Sequence, residues 1–101
     1  MANTETTIPL GNGQYLVFGQ QSVTTTSGAG TLTLTSVAVI DSVLNLDDDL
    51  STATVTHVWE PSAVPTDNTV AVLGYTNTLS GPVIALAADA AHVLQYCVIG
   101  H

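Results

Sequence analysis

The chain has 101 residues, 46% of them hydrophobic, and sets eight Asp and Glu against no Lys or Arg, a formal net charge of −8. That length holds one domain with a single modest core, and so apolar a composition excludes intrinsic disorder, which needs low hydrophobicity together with high charge. The charge excludes nucleic acid and anionic membrane surfaces as partners, since both are gripped through Lys and Arg, and favours a basic partner surface, cations or a salty medium.

Residues 1–13 are polar and Thr-rich, which predicts an extended N-terminal arm that orders only against something else; residues 14–101 form the domain. Ile8 and Leu10 are the arm's apolar side chains and the candidates for partner contact. "GNG" at 11–13 is a turn, too short to cradle a phosphate and not followed by a helix. Sixteen threonines and thirteen valines then mark an all-β chain, because β-branched side chains suit a pleated surface better than a helix. Strands are expected at Gln14–Phe18, Thr24–Thr26, Thr31–Thr35, Val37–Leu46, Thr52–Trp59, Thr69–Thr76, Val83–Ala87 and His92–Ile99. Thr24–Thr26 and Thr31–Thr35 should pair as a hairpin through "SGAG". "EPSAVPTDN" at 60–68 and "NTLSGP" at 77–82 break the later ones. About eight short strands at roughly ten-residue spacing predict an antiparallel β-sandwich or a jelly-roll-like barrel. "ALAADAAHVLQ", 85–95, is the one stretch with a competing helical reading.

Period-two alternation assigns faces. In "TATVTHVW", Ala53, Val55, His57 and Trp59 share a face, and it is the buried one. In the last strand Val93, Cys97 and Ile99 lie opposite His92, Leu94, Tyr96 and Val98. Both faces are largely apolar, so this strand is central in its sheet or turns one face to another subunit.

The reactive side chains form no recognisable constellation. Asp47, Asp48 and Asp49 lack the spacing of a calcium loop, which alternates acids around a Gly bend and ends in a distant Glu; they read as a solvated turn between strands, with a weak cation site or a basic partner as the alternatives. His57, His92 and Cys97 are scattered where zinc wants converging ligands, and residues five apart on one strand face opposite ways. His57 reads as a hydrogen-bonded, partly buried histidine, His101 as a frayed terminus. Cys97, alone in an apolar context, reads as a buried structural thiol. No nucleophile elbow, H-E-x-x-H, P-loop or G-x-G-x-x-G is present. Glu60 and Asp67 flank a loop as a carboxylate pair for glycoside hydrolysis would, but eight acids produce such pairs by chance. Trp59 at a loop rim is either a core residue or a sugar-stacking platform. The expectation is therefore a non-enzymatic protein without cofactor or metal.

"MANTETTIPL" has neither the basic nor the apolar region of a signal peptide, so synthesis in a cytoplasm is expected. The apolar stretch 83–100 is interrupted by Asp89, His92 and Gln95 and does not read as a membrane span. The phrases "VAVIDSVLNLDDD", "ATVTHV", "NTVAVLGY" and "HVLQYCVIGH", covering Thr31 to Gly100, resemble small β-rich virion proteins of tailed bacteriophages, whose chains often end in an aromatic-x-V-I-G strand. The resemblance implies a capsid decoration, or cement, protein: a homotrimer on the capsid surface that binds the major capsid protein and stabilises the head, with no nucleic-acid or membrane partner. The residues leave open a carbohydrate- or receptor-binding fibre or spike module, and a self-assembling filament or surface subunit.

Overall fold

The computed structural model describes residues 3–48, 55–78, 84–86 and 91–101. Among the described residues there are eight strands: β1 (Thr4–Gly11), β2 (Gln14–Thr24), β3 (Ala29–Thr33), β4 (Ile40–Asp48), β5 (Val55–Pro61), β6 (Thr69–Thr78), β7 (Ile84–Leu86) and β8 (Ala91–Gly100). They form two antiparallel sheets, sheet A in the order β1-β2-β8-β4 and sheet B in the order β3-β6-β5 with β7 also on β6. The chain is an all-β sandwich. No described residue is helical, and His92–Gln95 of the helical alternative lie in β8.

The core lies between the sheets. Sheet A contributes Val17, Val23, Ile40, Leu94, Tyr96 and Val98; sheet B contributes Leu32, Trp59, Val70 and Val72; Leu34 and Val37 of the β3–β4 connection close the gap. Along β8 the even residues His92 to Gly100 are buried while the odd residues are half-buried or exposed, the alternation expected of a strand with one face on the core. β8 is indeed central, with β2 on one side and β4 on the other.

Trp59 ties the layers together. It is 7% exposed, and its register partner across the sheet is Gly74. A Cβ on Gly74 would stand 2.7 Å from the indole ring, so the glycine is the slot into which the ring fits. From sheet B the indole reaches His92 of sheet A, edge to face, at 5.2 Å between centroids. Trp59 is thus a core residue.

Two sequence expectations change at the start of the chain. Of the arm expected over residues 1–13, Thr4–Gly11 is a strand of sheet A: β1 pairs with β2 from Thr4↔Gln20 to Gly11↔Gln14. The cause is Asn12-Gly13, whose residues both take positive φ (54° and 77°), the conformation of a two-residue type I′ hairpin turn. The hairpin expected between Thr24–Thr26 and Thr31–Thr35 is reduced to one bridge, Thr26↔Ala29, around Ser27 and Gly28 at φ 52° and 80°. β2 and β3 then part, one into each sheet. Between them the Gln21 side chain acts as a piece of backbone: its Nε2 donates to Thr33 O at 2.5 Å and its Oε1 accepts from Thr33 N at 2.9 Å.

The remaining boundaries shift modestly. β4 begins at Ile40, because residues 34–39 cross between the sheets with Leu34 N–H on Asn68 O at 2.9 Å. It runs on through Asp47 and Asp48, which are strand residues, where a turn was expected; Asp49 lies outside the described residues. His101 is pinned rather than frayed: its N–H donates to Val39 O at 2.9 Å and its O accepts from Ala38 and Val39 at 3.0 Å.

Candidate docking face

Several apolar side chains that the core does not use lie on the outer face of sheet A, while Val58 of β5 and Val64 of the β5–β6 loop are exposed elsewhere. Register places Ile8, Leu16 and Ile99 in one row across β1, β2 and β8, and Phe18 beside Cys97 in the next. Ile8 is 45% and Phe18 39% exposed; Leu16, Cys97 and Ile99 are half-buried among neighbours of the same face. The third row is polar, Thr4, Gln20, Gln95 and Asp47 from β1 to β4. Beside the apolar rows, Leu44 occupies a β4 bulge at 54% exposure. Bulges re-aim side chains, and this one pushes a leucine into solvent. Leu10, 50% exposed, sits in the β1 bulge next to the turn. Of the two arm residues named from sequence, Ile8 belongs to the face and Leu10 to its rim.

Cys97 is therefore not a buried thiol: it is half-exposed near the middle of this face. Its strand neighbour His92 points the other way and is 4% exposed in the core, so the two lie on opposite faces as their spacing requires.

On the inner side of β1, Glu5 holds the strand in place. Its carboxylate accepts from Thr35 N at 3.1 and 3.2 Å, from Thr35 Oγ1 at 3.3 Å, from Ser36 N, and from Tyr96 OH at 3.1 Å. Tyr96 OH is also 3.3 Å from Thr4 O. Gly19, paired with Glu5, makes room: a Cβ there would fall 2.1 Å from Thr4 O. A depression of about 300 Å³ opens beside it, lined by Thr4, Phe18, Gly19, Gln20, Gln95 and Tyr96. Partial burial pulls the Glu5 pKa upward, but the Ser36, Thr35 and Tyr96 donors outweigh it and hold it below the ordinary carboxylate value. Burial, then the adjacent Glu5 charge, push the Tyr96 phenol well above its ordinary value. Sequence reasoning passed over Glu5. The Asn12-Gly13 turn was the signal, since folding β1 onto β2 with period two puts Glu5 on the face opposite Ile8.

The other reactive candidates are occupied structurally. Glu60 accepts from Tyr75 OH at 3.2 Å. Asp67 is a turn residue at φ 52° whose carbonyl accepts from Ile40 N at 2.7 Å. Asp41 meets His101 Nδ1 at 2.9 Å. His57 is on β5, its side chain outside what the structure describes. Among the described residues no three His, Cys, Asp or Glu gather as metal ligands, and no helix is long and apolar enough to cross a membrane.

No protein-family model, no curated protein and no solved structure matches the chain.

Proposed function

We propose that this protein is a non-enzymatic virion structural protein, a decoration or cement protein that binds the major capsid protein as a homotrimer and stabilises the head from the capsid surface. The observation that supports it most is the distribution of apolar surface. Large side chains such as Ile8, Phe18 and Leu44 stand in solvent on one sheet of a sandwich whose described core lies between the sheets. A contiguous apolar cluster left on an outer face is the kind of surface that a partner covers. An all-acidic chain would add to a protein shell without engaging the packaged genome, whose binding needs basic residues. The experiment is reconstitution: purified protein is mixed with undecorated shells assembled from a tailed-phage major capsid protein. Saturable binding that raises the shell's disruption temperature supports the reading, and absence of binding refutes it.

A glycan-binding module is the second reading, favoured by Phe18 beside the Gln20 and Gln95 amides at the depression, an aromatic-plus-amide grouping suited to an uncharged sugar. Trp59, being in the core, adds nothing to it. A glycan array separates the two.

A further inference from the structure

We infer that the outer face of sheet A docks a protein surface that is apolar at its centre and carries Lys or Arg along the side that meets β4. This rests on the docking reading above and deepens it by naming the face and the chemistry of its occupant.

Two observations lead there. The first is the register, which grades the face from apolar to polar and acidic. Ile8, Leu16 and Ile99 share one row that ends in Ser42 on β4, Phe18 and Cys97 lie between Thr6 and Asn45 in the next, and Thr4, Gln20, Gln95 and Asp47 make the third. β4, the edge strand of this sheet, carries Asp41 and Asp47 at either end of the exposed Leu44. The second is that the chain has no Lys or Arg anywhere. An apolar centre with a charged rim is the ordinary anatomy of a protein interface. The rim acids are Asp47 and Asp41, the latter meeting His101 Nδ1 at 2.9 Å, and the chain has no Lys or Arg to offset them, so the complementary surface is basic.

Charge also disfavours a second copy of this face as its occupant, since two such faces would bring acidic β4 rims together with histidine the only side chain able to supply a cation; the proposed trimer would then form through other surfaces. Like-charge juxtaposition of that kind disfavours a partner. The apolar centre is small. With strands about 4.8 Å apart and same-face residues about 6.8 Å apart along each, two rows over three strands cover roughly 200 Å². A standard interface buries about 800 Å² per partner, so one copy holds weakly and several linked copies hold firmly through effective concentration.

The test uses ¹⁵N-labelled full chain and two synthetic strand peptides, one alternating Leu and Lys, the other Leu and Glu. The Leu–Lys peptide should shift the amides of Ile8, Leu16, Phe18, Cys97 and Ile99, with affinity falling several-fold between low and high salt as screening weakens the rim contacts. Phe18→Asp and Ile8→Asp, both at exposed positions, should lose binding at least tenfold while their far-UV circular dichroism and melting stay native. The inference is overturned if neither peptide binds, if the Leu–Glu peptide binds as well, or if the shifts centre on Val58, Leu73 and Tyr75 of sheet B. It is also overturned if the wild type forms a dimer that Phe18→Asp dissolves. Undecorated shells separate this inference from the function it rests on. Shells bound equally by wild type and Phe18→Asp sink the face and leave the function standing. A face that takes the Leu–Lys peptide on a protein that ignores shells sinks the function and leaves the face.

Discussion

Glu5→Gln is the most informative single substitution for the fold. The carboxylate joins β1, the β3–β4 connection and β8, by accepting from Thr35 N, Thr35 Oγ1, Ser36 N and Tyr96 OH. Glutamine keeps one acceptor oxygen but turns an NH₂ toward donors, and it removes the charge. A hydrogen bond to a charged group contributes about 1.5–3 kcal/mol when shielded from water. Glu5 is only partly buried, so solvent screening reduces the whole cluster to about 1–2 kcal/mol. At about 4–8 °C per kcal/mol for a chain of this size, melting should fall by about 4–16 °C at pH 7. The effect has a pH signature. The folded-state pKa of Glu5 is depressed, so its contribution is complete above the unfolded value of about 4.3 and is lost as pH falls through the lower folded value. Wild type and variant should therefore differ most at pH 7 and less at pH 3, below the unfolded value. Thermal melts followed by circular dichroism check this. An equal difference at both pH values, or none at pH 7, would show that Glu5 does not clamp β1.

Other substitutions probe separate links. Gly74→Ala should cost about 1–3 kcal/mol by overpacking, because the new Cβ meets the Trp59 ring at 2.7 Å; a red shift of Trp59 fluorescence would report the displaced indole, and an unchanged spectrum and melting point would contradict the slot. Gly13→Ala, at φ 77°, should cost about 1 kcal/mol by straining the β1–β2 turn, and amide exchange should quicken in β1 before it does in β8. With −8 of charge and no Lys or Arg, raising the ionic strength should raise the melting temperature through screening; a flat profile would mean that the carboxylates do not oppose folding.

The sequence made the class of the fold plain for a physical reason. Thr and Val dominate it, and alternation along His92–Ile99 marks a strand apolar on both sides, which the structure places at the centre of sheet A. Partnering was less legible. Two strands separated by a Gly turn ordinarily pair, yet β2 and β3 part after a single bridge, because the buried Leu32 belongs to one layer and the buried Val17 and Val23 to the other. The opposite misreading befell residues 4–11. Their polar composition suggested an arm, while Asn12-Gly13 encoded the hairpin that makes them a strand. Ile8 was visible as an exposed apolar residue, but its neighbours in the face were not. Leu16 and Ile99 stand beside it only once three strands distant in sequence are in register. Cys97 shows the same limit: apolar neighbours in sequence suggest burial, whereas the sheet has two apolar faces and turns this residue toward the outer one.

The central claim, that the outer face of sheet A is the surface this protein docks with, is tested most directly by its only cysteine. Cys97 is half-exposed and paired with Phe18 on that face, so alkylation of the unmodified chain reads the face without any mutation. Cys97 should react steadily with a small maleimide in the free protein and at least tenfold more slowly on saturated shells. Labelling at the same rate on fully occupied shells would contradict it.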